Sequence, residues 1–248
     1  MQTGNFKNLL SAGLVSWDAK DYTDAYDKFS RALELNPTDA TCILFKSLCL
    51  AVIDRHIEGA TAAYKRVFGR PNFPYREKLD FAKNQLEIFD RLLIAETDAA
   101  LSDYSPDCLD TSSIRNAWAC LEDVLDARSF AAEMAENIYA VDPSFKDGLV
   151  TILKNLLSVY IHLTSGWKWV MQLDFDLYTY NEFHPLKEHY MRERAVVTNR
   201  IQSLDSGFMD SSGSERKPAK GAKIIKIIGI VGGAIFIGIV IALILLKL

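Results

Sequence analysis

Apolar positions in the first hundred residues recur at spacings of three and four, the period of helices that each bury one face. In YTDAYDKFSRALELNP, the residues Tyr22, Ala25, Phe29 and Ala32 form one such stripe. Asn36-Pro37 should end that helix, because the residue before a proline avoids the α region, and Asp39 is placed to cap the next one. Gly13, in the preceding apolar stretch, would let the two helices approach closely. Asp39–Asp54 and Ile57–Phe68 predict a second helix pair. From Pro74 to Ser102 the pattern is continuous (Leu79, Phe81, Ala82, Leu86, Phe89, Leu92, Leu93) with no internal turn residue, so one long closing helix is expected there.

Ser105-Pro106-Asp107 interrupts this pattern, and a second helical block follows. Its predicted helices are Ser112–Val141, Pro143–Thr164 and roughly Pro185–Leu204, with Asp142-Pro143 as a start signal. Val170–Phe183 is read as irregular or partly helical; LDFDLYTY alternates like a strand but has no partner strand elsewhere. Residues 206–223, SGFMDSSGSERKPAKGAK, are small, polar and Gly/Ser-rich, the composition of a flexible linker.

The spacing G-x8-Y-x2-A-x3-F-x2-A-x4-P, carried by Gly13, Tyr22, Ala25, Phe29, Ala32 and Pro37, resembles the tetratricopeptide repeat family. Pro71 lies 34 residues after Pro37, the family period. In that register Ser47 replaces the glycine, Gly59 takes the place of the small alanine and Arg66 that of the second alanine. The fold expected is therefore all-α: TPR-like helical hairpins over 5–104, a helical extension over 105–205 that no resemblance covers, the linker 206–223 and a transmembrane helix over 224–246.

That last expectation rests on Ile227–Leu246, a run of 20 residues without a charge. As a helix it would span roughly 30 Å, the hydrocarbon thickness of a bilayer. Five basic residues (Arg216, Lys217, Lys220, Lys223, Lys226) precede it and Lys247 follows, which predicts a cytosolic N-terminal side. No N-terminal signal competes: Asp18, Lys20 and Asp21 closely follow the mildly apolar Leu9–Trp17, and Gln2 is not the glycine that myristoylation requires. Gly229 and Gly233 form a G-x-x-x-G pair, a candidate for helix–helix association in the bilayer and so for a homo-oligomer.

Charge narrows the partners. Six of the 28 Lys/Arg but only one of the 32 Asp/Glu lie from Glu215 onward, leaving 22 and 31 before it, −9 against +5. An acidic body has no broad affinity for phosphate backbones, so no nucleic-acid partner is expected. Cys42, Cys49, Cys108 and Cys120 form no C-x-x-C pair, and Cys42 and Cys49 would stand roughly 10 Å apart on one helix, too far for a disulfide. Free thiols fit a reducing compartment.

Candidate chemistry is sparse. Phosphate loops, nucleophile elbows, zinc-protease helices and dinucleotide fingerprints are all missing from the sequence. His184 and His189 are five apart rather than four, and His56 and His162 stand alone. Asp174 with Asp176, and Glu122 with Asp123 and Asp126, read as solvated acidic faces. No catalytic, cofactor-binding or metal site is therefore expected.

What the TPR resemblance implies instead is a protein-binding groove lined by the first helix of each hairpin. The family's groove positions fall on Lys7, Leu10, Leu14, Trp17 and Asp18, then on Thr41, Leu44, Leu48, Ala51 and Val52. Leucines replace the lysine and asparagine by which chaperone-binding members hold a carboxylate. The groove candidates are Leu10, Leu14, Trp17, Leu44 and Leu48, open to a partner's amphipathic helix or filled by a helix from this chain's own 75–205 region. The expected function is a membrane-tethered interaction scaffold with a protein partner and the lipid bilayer as its two contacts. A bacterial envelope-assembly protein, an organelle adaptor and an enzyme with an unrecognised site are the alternatives.

Overall fold

The computed structural model describes residues 2–55, 57–102, 111–165 and 177–209. It is all-helical, with no strand among the described residues. The helices are α1 (Gln2–Asp18), α2 (Tyr22–Leu35), α3 (Ala40–Asp54), α4 (Glu58–Phe68), α5 (Leu79–Ser102), α6 (Thr111–Val141), α7 (Lys146–Ser165) and α8 (Leu177–Leu204). A 3₁₀ turn, Pro143–Phe145, joins α6 to α7. The chain divides into two units, Met1–Phe208 and Met209–Leu248, and all eight helices lie in the first.

The helix boundaries follow local chemistry. Asp21 accepts a hydrogen bond from the Asp24 N–H at 3.1 Å to open α2, and Asp39 accepts from the Cys42 N–H at 2.8 Å to open α3. The Asn36 N–H closes α2 on the Ala32 carbonyl at 2.9 Å, directly before Pro37. Asp142 accepts from the N–H and hydroxyl of Ser144 and starts the 3₁₀ turn. The sequence marks three of these points, Asn36-Pro37, Asp39 and Asp142-Pro143; the Asp21 cap is added by the structure.

The helices pack in order: α1 on α2, α2 on α3, α3 on α4, then α5 on α6, α6 on α7 and α7 on α8, with α4 also meeting α6. At Gly13 the Phe29 ring of α2 lies directly against the α1 backbone. A Cβ built there would lie 2.7 Å from Cε1 of Phe29, so only glycine leaves room for that ring. The buried stripe of α2 is Ala25, Phe29 and Ala32, as predicted. In α4 it recurs as Ala60, Tyr64 and Val67, each 35 residues further on.

This corrects the expected register of the second pair by one residue. Gly59 meets nothing within 4 Å and Arg66 is exposed; Ala60 and Val67 do the packing instead. Tyr64 fills the slot that Phe29 fills in α2, stacking on Phe89 of α5 with ring centroids 4.1 Å apart. Its hydroxyl donates to the carbonyl and side-chain oxygens of Gln85, each at 3.2 Å. The physical reason is that helix packing fixes the stripe, while the turn before α4 accommodates one extra residue.

The long closing helix begins at Leu79, five residues later than the pattern suggested, because Phe73–Lys78 forms turns. In the second block, Leu177–Phe183 is helical and Pro185 lies inside α8, not at its start. A proline inside a helix removes one backbone hydrogen bond at a cost of about 3 kcal/mol, so a start was the cheaper local assumption. The helix nonetheless runs through Pro185, and α8 packs on α7. Residues 170–176 lie outside the described set, as do Asp174 and Asp176.

One cluster of buried apolar residues runs from Ala25 to Leu204. α6 lies at its middle, burying Leu121, Val124, Phe130, Met134 and Ile138 along with Ala127, Ala131, Ala132 and Ala135. Each fully buried Phe or Leu contributes roughly 1.5–3 kcal/mol relative to exposure. Among the described residues no helix is long and apolar enough to cross a membrane. The run 227–246 with Gly229 and Gly233, and the linker beyond Met209, lie outside them.

Candidate functional site: a cleft at the ends of three parallel helices

α1, α3 and α5 run in the same direction along one face, so their ends meet in clefts. At their C-terminal side, the ends of α1 and α3 and the second half of α5 enclose a cleft of about 650 Å³. Its apolar wall is Trp17, Tyr22, Val52, Ile88, Leu92 and Ala95. Trp17 is fixed edge-on against Tyr22 at 5.1 Å and against Phe45 at 5.2 Å, which sets its indole before any partner arrives.

Charged groups rim this wall: Asp18, Lys20, Arg55, Arg91 and Glu96. Arg91 is paired with Glu87 one helical turn back. Lys20 and Arg55 hold left-handed backbone conformations, φ 62° and 55°, in the two corresponding turns. Glycine or asparagine is the usual choice there, and a lysine or arginine in that region carries a cost of order 1–3 kcal/mol. Both strained positions place a cation on the same cleft.

The sequence-predicted groove residues are divided by the structure. Trp17 lines the cleft, with Asp18 and Val52. Leu10 and Leu14 are partly buried and pack against the core. Leu44 and Leu48 are fully buried, so of the two alternatives for the groove the open one does not apply to them. α5 shares a cleft with α3 at each end, and between those clefts Leu44 and Leu48 are closed to solvent while Leu50 of α3 is exposed. Sequence reasoning missed the α5 wall, Ile88, Leu92 and Ala95. The signal was available as their spacing of four and three, but it identified an apolar face without saying what the face met.

Elsewhere the chemistry is structural. Burial pushes the Cys42 thiol up to about 12, aided by the Asp39 carboxylate, and burial pushes Cys49 to about 12 as well, so neither is a ready nucleophile. Asp126 is bound by Lys65 at 2.7 Å and Glu122 by the Tyr190 hydroxyl. Among the described residues no three His, Cys, Asp or Glu side chains gather as a metal ion would need.

Among the described residues the most buried charge is Arg128 on α6, with its side chain 4% exposed. It donates to Thr97 Oγ1 through Nε and Nη2, both at 3.0 Å, and to Asp90 Oδ1 at 3.2 Å. Asn155 of α7 donates to the same carboxylate at 3.2–3.3 Å. Burial lowers the guanidinium's pKa and Asp90 opposes that shift. The network pins α5, α6 and α7 in one register and leaves no group open to a substrate.

Compared with known proteins, the chain matches no family model and no curated sequence.

Proposed function

We propose that this protein is a membrane-tethered interaction scaffold whose helical stack, built from TPR-like hairpins, holds a partner protein in the cleft between α1, α3 and α5. The observation that carries the reading is that cleft: an aromatic and aliphatic wall with a rim of charge, open to solvent, among residues that carry no catalytic arrangement. Its size and lining suit a few side chains of a partner helix or extended peptide. The left-handed Lys20 and Arg55 add to the case, because backbone strain retained at two rim positions is the pattern expected where side-chain identity matters more than stability.

Tethering rests on the sequence: a 20-residue uncharged run with five cations before it. In this reading the run is a single-pass helix, the stack is on the cytosolic side, and Gly229 and Gly233 supply a contact between copies. The TPR likeness rests on the Gly13–Phe29 approach and on the recurring stripe of α2 and α4.

A photo-crosslinking residue at Val52 in the full-length protein tests the cleft. The expected result is a discrete protein adduct that disappears with Leu92→Glu and is not formed from Ser11 on the outer face of α1. Equal labelling from both positions, or an adduct indifferent to Leu92→Glu, would remove the cleft as the working surface. Deleting 224–248 should abolish membrane co-fractionation and leave the adduct; persistence of the truncated chain on membranes would refute the tether.

A further inference from the structure

The opposite end of the stack carries a second feature. Between α4 and α5 the sequence KRVFGRPNFPYREK, residues 65–78, holds five cations and one acid in a body whose net charge is −9. Lys65 is paired with Asp126, but Arg66, Arg70, Arg76 and Lys78 are exposed and have no ion-pair partner among the described residues. Arg66, Arg70 and Lys78 line a cleft of about 300 Å³ together with Asn72, Phe73 and Pro74, and no carboxylate lines it. Asp39, Glu77 and Asp80 line the neighbouring cleft together with Arg76 and Lys78, so Lys78 borders both clefts.

Two contacts fix where this patch stands in the fold. Lys83, near the start of α5, reaches Asp142 after the end of α6 at 2.5 Å. Arg200, near the end of α8, pairs with Glu136 of α6 at 2.6 Å. The start of α5, the end of α6 and the end of α8 therefore lie together. The chain thus leaves the stack, at Leu204–Met209, from the end that bears the basic loop. Seventeen residues separate Met209 from Ile227, a reach of at most roughly 60 Å.

We propose that the basic loop is a docking surface for anionic lipid headgroups, seating this end of the stack on the membrane and directing the partner cleft away from it. The proposal rests on the tethered reading above. A stack of net negative charge is repelled by an anionic leaflet everywhere except at a local excess of cations, and the tether brings that excess within reach. Arg66, Arg70 and Lys78 hold phosphate oxygens, Arg in bidentate fashion, and Phe73 and Pro74 provide apolar surface at the headgroup boundary. Lys78 lies over the Phe73 ring at 6.0 Å, so charge and apolar surface are presented as one unit.

Hydrogen exchange of the full-length protein in vesicles tests this. One vesicle type is phosphatidylcholine alone and the other contains a third phosphatidylglycerol. Exchange over residues 69–78 should slow by about fivefold or more only in the anionic vesicles, since one cation near such a surface is worth about that factor. The protection should vanish in about 1 M salt, where screening acts within roughly 3 Å. It should also vanish in the Arg66→Gln, Arg70→Gln, Lys78→Gln variant, with thermal unfolding in detergent unchanged. If that variant unfolds, the salt arm on the native protein still decides. Equal exchange in both vesicle types overturns the proposal. Salt-released protection in neutral vesicles also overturns it, by pointing to an acidic protein surface. Protection reproduced by inorganic phosphate in detergent overturns it in favour of a free-phosphate site. Resistance to alkaline extraction from both vesicle types reports the span separately, so failure of the tether and failure of the docking are distinguishable.

Discussion

The pair α1–α2 and the group α5–α6–α7 solve the same problem, fixing neighbouring helices in register, by opposite means. Between α1 and α2 the device is steric: Gly13 removes a side chain and Phe29 fills the space. Among α5, α6 and α7 it is polar: one buried guanidinium is shared by Thr97 and Asp90, with Asn155 completing the carboxylate's contacts. A steric device tolerates no added volume but loses little if a neighbour shifts. A polar device is strong only while complete, because each member removed leaves another uncompensated in a medium of low dielectric. The two ends of the molecule should therefore fail differently under mutation.

The largest loss is expected for Phe29→Ala, roughly 3–5 kcal/mol by chemical denaturation, from the cavity left opposite Gly13. A transition that does not move would show that the α1–α2 contact is not part of the cooperative unit. Arg128→Ala should cost about 3 kcal/mol by leaving Asp90 unpaired, whereas Arg128→Met combined with Asp90→Leu should recover most of that loss. If the double variant is no better than the single one, the network is held by geometry other than its charges. Gly13→Ala is expected to cost roughly 1–3 kcal/mol through overpacking, and Phe29→Leu should relieve part of it. Additive behaviour of those two changes would break the steric account.

Smaller effects sharpen the comparison. Tyr64→Phe should cost about 1 kcal/mol, the worth of one buried hydrogen bond to Gln85, while leaving the ring stack intact. Asp142 gives a pH signature. Its carboxyl is lowered to about 2, first by the hydrogen bond from Lys83 and then by Ser144. A depressed folded-state pKa means that its contribution is complete above the unfolded value near 4. It is lost as pH falls from there through about 2. Lys83→Met should flatten that part of the stability–pH curve and leave the curve at neutral pH nearly parallel to that of the native protein.

Legibility differed between the halves for the same reason. Caps, prolines and a repeating stripe are local, so Asp39, Asn36-Pro37 and the Gly13–Phe29 approach are tied to positions a few residues apart or to a short hairpin. The Arg128 network joins residues up to 65 apart, and no local pattern announces that an arginine on a helix of mostly small and apolar residues will be buried. The register of α4 was misread by one residue because a turn can absorb an insertion without changing the periodicity on either side of it.

By itself the sequence determined that the body is all-helical, where most helices begin and end, which face of α2 is buried, and that an uncharged run of bilayer length follows an acidic body. These depend on backbone preferences and on free energies that act within a few turns. Only the tertiary structure decided that Leu44 and Leu48 are closed off while Ile88 and Leu92 line a cleft, and that the basic loop and the departing chain share one end of the stack. Those facts depend on which apolar faces meet. A helix carries the same stripe whether it is covered by a neighbour or left for a partner, and only the packing of the other helices distinguishes the two.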